Sequence, residues 1–196
     1  MATIELGRPA VRQEDLGINV RALEADLRRG VRGEVRFDPG SRGAYASDGS
    51  NYRQVPIGVV VPADADDVVA AVAACRRHGA PVLGRGGGTS LAGQGCNVAV
   101  VLDFTKYMHR LLELDPDRRL ARVEPGIYRD DLDRTAGRHG LTFGPDPSTH
   151  DHCAIGGMIG NNACGAHAQM GGRRRPRSAP APRRWSARPA CAGRRR

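Results

Sequence analysis

A chain of 196 residues has room for one full domain or two small ones, and with aromatics at 4% its core must rest on Ala, Val, Leu and Ile. The net charge of +9 looks like a nucleic-acid signal, but ten of the Arg and no acidic residue fall in residues 173–196. Residues 1–172 hold 20 basic and 21 acidic side chains, a net of −1, which argues against a nucleic-acid-binding domain. No run approaches the ~20 apolar residues of a membrane span. Five Cys without a C-x-x-C pair or a signal peptide point to reduced thiols in a cytoplasmic protein.

Residues 1–54 read as an N-terminal extension of one helix, 20–29, and a polar loop through 38–54. Residues 57–61, Ile-Gly-Val-Val-Val, predict a buried strand closed by Pro62. A helix over 64–78 follows, with Val68, Val69, Val72 and Ala73 at helical spacing. Acidic residues crowd its first turn, Arg76, Arg77 and His78 its last, and Gly79 stops it. Residues 81–83 predict a second strand and 98–103 a third. Together they make a βαβ unit plus a further strand, in a small parallel sheet with a right-handed crossover. Residues 111–114 and 120–123 flank Asp115-Pro116-Asp117-Arg118-Arg119 as a hairpin, and 128–139 suits a helix ended by Gly140. Residues 144–165 are glycine-dense, and their small side chains let a helix N-terminus abut a phosphate or ribose. Residues 173–196 are Arg, Pro, Ala, Ser and Gly without an apolar period, and such a tail cannot bury enough surface to order itself.

Between two of these strands stands Arg85-Gly86-Gly87-Gly88-Thr89-Ser90-Leu91-Ala92-Gly93-Gln94-Gly95. Glycine lets the backbone take positive φ and approach a ligand closely, and successive N–H groups then point into one concavity that binds an anion. Thr89 and Ser90 add hydroxyls and Arg85 a positive charge, so the loop suits the diphosphate of an adenine dinucleotide. A P-loop is excluded because the only Lys is Lys106, outside the loop. The Rossmann G-x-G-x-x-G also fails, since its last position falls on Thr89 or Leu91. The plain alternative is a flexible surface turn.

Taken together, the two glycine stretches and the segment between them resemble the PCMH-type FAD-binding domain of FAD-linked oxidases of the vanillyl-alcohol oxidase type. A close likeness is to D-lactate, glycolate and D-2-hydroxyglutarate dehydrogenases. Val59-Val60-Val61-Pro62 with Ala65-Asp66-Asp67-Val68 looks like that family's first strand and helix. Tyr45-Ala46-Ser47-Asp48-Gly49-Ser50-Asn51-Tyr52-Arg53-Gln54 is similar to the large members fused to an iron–sulfur module. The resemblance implies an α+β fold of two subdomains, a small parallel βαβ unit plus a mixed or antiparallel one. That domain would occupy residues 55–172 and be truncated at its C-terminal end.

The resemblance also implies roles. Arg85, Gly86, Gly87, Gly88, Thr89 and Ser90 would hold the FAD pyrophosphate, and Gly93 and Gln94 would continue the cradle. Pro145, Ser148 and Thr149 would lie along the flavin and ribityl chain. Gly156, Gly157, Gly160, Asn161, Asn162, Cys164 and Gly165 would close the other side. Some relatives attach flavin covalently through a His in the first loop. Thr89 stands there in this chain, so FAD is expected to be noncovalent. The family's cap domain, which supplies the substrate pocket, has no counterpart in this sequence, and no catalytic residue is named. The expectation is therefore the amino-terminal piece of a flavoenzyme that oxidises a D-2-hydroxy acid, with residues 173–196 read out of frame. The alternatives are a UDP-sugar-type flavin reductase of the same fold and a noncatalytic Arg-tailed nucleic-acid-binding protein.

Two clusters carry weaker chemistry. His150-Asp151-His152-Cys153 is too tightly spaced for all four to reach one metal ion and reads as a loop beside the flavin. Cys153 and Cys164 read as small buried residues rather than reactive thiols. Asp130, Asp131 and Asp133 spread over a wide arc of a helix and read as a solvated face.

Overall fold

Val59, Val60, Val61, Val100 and Val101 are almost wholly withdrawn from water, Val60 and Val100 in one core cluster and Val59, Val61 and Val101 in another. Burying each such side chain contributes about 1.5–3 kcal/mol. In the computed structural model, residues 16–166 and the backbone of residues 184 and 185 are described. The sheet contains β1 (Glu34–Arg36), β2 (Gly58–Val61), β3 (Val82–Arg85) and β4 (Val100–Asp103) in the order β1-β2-β4-β3. β2, β4 and β3 run parallel, while β1 is antiparallel to β2. Every residue of β2 and β4 is buried. Continuous apolar runs need cover on both faces, so these two strands take the centre. β3, with its exposed Val82 and Gly84, tolerates the edge. The βαβ expectation holds with one difference, because β4 inserts between β2 and β3.

Helices α1 (Val20–Gly30) and α3 (Ala65–Arg77) pack on this sheet through Leu23, Leu27, Ala71, Ala74 and Cys75. Asn19 caps α1 by accepting the Ala22 N–H, and Asp64 caps α3 by accepting those of Asp66 and Asp67. Gly79, at φ +65°, ends α3 in the left-handed region. The described part of residues 1–54 is woven into this first unit. β1 and the short helix α2 (Pro39–Ala44) lie where the sequence suggested extension or loop. β1 is three residues long and buries only Val35, and α2 buries nothing, so neither leaves a periodic trace.

The second unit begins at the antiparallel hairpin β5 (Leu111–Asp115) and β6 (Leu120–Val123). It continues through α4 (Arg129–Gly137), β7 (Thr142–Phe143) and α5 (Ile155–Gly160). Its core joins Ile127, Leu132, Ala136, Leu141, Phe143, Cys153, Ile155 and Met158. A parallel unit and an antiparallel one, each with its own core, make the two-subdomain α+β architecture expected from the resemblance. The tail, residues 173–196, lies outside the described residues except at β8 (Arg184–Trp185), whose backbone pairs in parallel with β7. That pairing departs from a tail without any order, and β7 offers it an otherwise unpaired strand edge.

Candidate functional site

The glycine loop leaves the carboxyl end of β3, the side of a parallel sheet where ligands bind in open α/β folds. Among the described residues, no backbone N–H from Gly86 through Leu91 donates to a protein acceptor. These groups are half-buried or exposed. Donors at this exposure are satisfied by water in the free chain, and a consecutive run of them is available to an anion. Gly88 and Gly93 take positive φ, +67° and +78°, which shapes the turn. The Thr89 hydroxyl has no protein partner among the described residues, whereas the Ser90 hydroxyl is turned to the Gln94 side chain.

The loop is tied down from the opposite side by residues 47–50. Gly49 N–H donates to Gly88 O at 2.8 Å and Gly95 N–H to Asp48 Oδ2 at 2.9 Å. The Arg85 guanidinium donates to Gly95 O at 2.7 Å and to Ser47 O at 2.8 Å, and it sits 5.6 Å from the centre of the Tyr45 ring. Arg85 was expected among the phosphate ligands. Its two terminal nitrogens each donate to one carbonyl, of the loop's Gly95 or of Ser47. Tyr45 is itself fixed by donating its hydroxyl to Asp103, and burial, then that bond, push the phenol well above its usual range. Burial raises the Asp48 carboxyl, but the Ser50 hydroxyl, Ser50 N–H and Gly95 N–H outweigh it and hold the carboxyl below its ordinary value.

The second glycine stretch packs directly on the first. A Cβ on Gly86 would meet the Ala154 methyl at 2.8 Å, and one on Gly87 would meet His152 O at 1.8 Å. These two glycines therefore serve the junction of the segments as well as any ligand. Gln94 Nε2 donates to Asn161 Oδ1 at 3.2 Å and joins the loop to the end of α5. The start of α5 departs from the expected free helix N-terminus. Ile155 N–H is bonded to Ile127 O and Gly156 N–H to Pro125 O, so the protein itself takes up these donors. What α5 offers is a bare face. Gly157, Gly160 and Asn161 are exposed, and a Cβ on either glycine would meet nothing within 4 Å.

Arg129 ties the start of α4 to the segment at Pro145 and Asp146. Its guanidinium pairs with Asp130, Asp133 and Asp146 and donates to Pro145 O at 3.3 Å. Asp133 also accepts the Phe143 N–H at 2.7 Å, and Asp130 pairs with His150 at 2.8 Å. Asp130 and Asp133 are thus structural anchors rather than a solvated face; only Asp131, paired with Arg134, fits that reading. Pro145, Ser148 and Thr149 lie in the segment so held. Thr149 O accepts from His152 and Cys153, Asp146 N–H donates to Cys164 O, and Gly165 at φ +112° abuts Asp146 O. Asn162, at φ +50°, is exposed beside Asn161.

His150, Asp151, His152 and Cys153 diverge: His150 turns to Asp130, His152 to Asp151, and Cys153 is buried. Among the described residues no group of three or more His, Cys, Asp or Glu is placed to hold a metal ion. Burial pushes the Cys153 thiol up and that of Cys75 to about 11, which suits packing roles. Cys164 is half-buried. Among the described residues no helix is long and apolar enough to cross a membrane. The residues missed at sequence level are Asp48, Gly49 and Arg129. The first two belonged to the 45–54 motif, but Asp48 meets Gly95 across 47 positions, which no local pattern reveals.

A two-unit α+β protein with a donor-rich glycine loop at the end of a parallel strand defines a class that binds phosphate-bearing cofactors. The family described as the FAD binding domain matches residues 56–175, and the chain belongs to it. D-2-hydroxyglutarate dehydrogenase of Pseudomonas putida is 36% identical over 146 residues, covering 73% of this chain and 14% of that protein. Glycolate oxidase subunit GlcD of Escherichia coli is 37% identical over 126 residues, 63% of this chain and 25% of that one. The chain thus spans a quarter or less of these relatives. A solved structure of alkyldihydroxyacetonephosphate synthase shares the fold at a TM-score of 0.69 and 17% identity, over 85% of this chain and 38% of that one.

Proposed function

We propose that the chain binds FAD noncovalently between the glycine loop and the exposed face of α5, within a flavin-linked dehydrogenase acting on a D-2-hydroxy acid. The observation that carries the reading is the run of unpartnered N–H groups from Gly86 to Leu91. That run, the free Thr89 hydroxyl and the bare Cα faces of Gly157 and Gly160 fit a group that carries a diphosphate and a long flat body. In this reading the loop donors, Gly93 and Gln94 hold the pyrophosphate. Ser148, Thr149, Asn161 and Asn162 line the remainder, with Gly156, Cys164 and Gly165 setting the backbone behind them. Bound flavin supplies a hydride acceptor for the substrate α-carbon. D-2-hydroxyglutarate and glycolate are the substrate types named for the relatives, and they share a 2-hydroxy acid group. No residue of this chain is assigned as the base.

Thr89 occupies the loop position from which a His would attach flavin, so the cofactor is held by hydrogen bonds and charge alone. Gel filtration of the chain mixed with FAD, followed by acid precipitation, tests both parts. Flavin should travel with the protein and then stay in the acid supernatant. Flavin that pellets with the protein would overturn noncovalent binding, and flavin that never travels with the folded chain would overturn the reading itself.

A further inference from the structure

Arg85 has the position and charge of a phosphate ligand, and its Nη1 and Nη2 atoms donate to Gly95 O and Ser47 O. Gly88 lies directly over the guanidinium, since a Cβ there would meet Nη2 at 2.5 Å. On the same side Asp48 accepts the Gly95 N–H, and Gly49 donates to Gly88 O. Four bonds therefore fasten the loop at Arg85, Gly88 and Gly95, from the single segment 47–49 or across the loop itself, while no N–H from Gly86 to Leu91 finds a protein acceptor among the described residues. An unfastened glycine loop has a large conformational entropy to lose on binding, and holding it in shape beforehand lowers that cost.

We propose that Asp48 and Arg85 are positioning residues for cofactor binding: they splint the glycine loop from behind so that its N–H groups converge, and neither touches the pyrophosphate. The proposal rests on the FAD reading for its ligand, but the splint is a property of the free protein. It differs from direct charge recognition in the sign of two effects. If charge alone mattered, removing the Asp48 carboxylate beside a pyrophosphate site would tighten binding, and Arg85→Lys, which keeps the charge, would leave it unchanged. A lysine cannot bridge two carbonyls as a guanidinium does, and Asp48→Ala removes the acceptor for Gly95.

The experiment pairs FAD titration with amide hydrogen exchange on the free chain. Asp48→Ala and Arg85→Lys should each weaken FAD binding about ten-fold or more, the effect of one charge-assisted hydrogen bond. Both should speed exchange at the Gly95 amide, and Asp48→Ala also at Gly49. Asp48→Asn keeps an acceptor oxygen without the charge and should recover part of both losses. A folded Asp48→Ala chain that binds FAD as well as or better than wild type, or unchanged exchange at Gly95, would overturn the splint. If wild type itself binds no FAD, the reading of the ligand fails, and the exchange result alone still decides whether the splint exists.

Discussion

The two glycine stretches look alike on paper and differ in how they use their backbone. In the first, residues 86–91 leave their N–H groups without protein acceptors among the described residues, and the fastening is done at Arg85, Gly88 O and Gly95. In the second, the N–H groups of Asp146, His150, His152, Cys153, Ile155 and Gly156 are all bonded within the protein. Ser148, Thr149, Asp151 and Gly157 keep N–H groups without a protein acceptor among the described residues, but these are scattered rather than consecutive, beside the bare α-carbons of Gly157 and Gly160 and the exposed Asn161 and Asn162. Glycine content therefore says little about anion binding until each donor has been accounted for. One stretch suits charge, and the other suits the flat body of a ligand.

The comparison breaks most visibly at the junction. Gly87→Ala puts a methyl into the space of the His152 carbonyl, and overpacking of this kind costs about 2–3 kcal/mol. A denaturant midpoint falling by the corresponding amount checks it; an unchanged midpoint would mean the two stretches are not packed as described. Thr89→Asp comes next. A carboxylate about 4 Å from a phosphate costs roughly 1 kcal/mol in water and more where screening is weaker, so the FAD dissociation constant should rise about ten-fold or more with stability unchanged. The third substitution separates the stretches. Gly157→Ala meets no neighbour and removes a helical glycine, so α5 should gain about 0.5–1 kcal/mol while FAD binding weakens. Gly156→Ala, with Pro125 O at 2.8 Å, should instead lose stability.

The smallest effect is electrostatic. The hydrogen bond to Asp130, then its charge, raises His150 above its ordinary 6.5. A raised histidine contributes stability fully below 6.5 and loses it as pH climbs through the folded value. The stability difference between wild type and His150→Gln should accordingly shrink as pH rises, with the imidazole midpoint above 6.5 in an NMR titration. A midpoint at or below 6.5 would leave the Asp130 pairing without effect.

Much of this was legible in the sequence, for reasons that can be named. The apolar runs at 57–61 and 98–102 announced two strands, and Gly79 and Gly140 marked helix ends at positive φ. β1 was not legible because one buried valine among three residues carries no period. The loop's identity was readable from its glycines, whereas the work of each glycine was not: Gly86 and Gly87 make room for another segment, and that segment lies more than sixty positions away. Arg85 shows the same limit: its charge suggested a ligand contact, whereas its bonds to Gly95 O and Ser47 O come from carbonyls that the fold brings near it. Asp130 and Asp133 likewise gained their roles from Arg129 and Phe143, through bonds that helical spacing alone does not specify.

The central claim is that the first loop recognises a diphosphate through its free backbone donors. Fluorescence titration of the chain with FAD and, separately, with riboflavin, which carries the same ring without a diphosphate, tests it most directly. FAD should quench saturably and riboflavin should bind about ten-fold or more weakly, because the charge-assisted bonds to the loop are missing. Equal affinity for the two, or no saturable binding of FAD by folded protein, would contradict it.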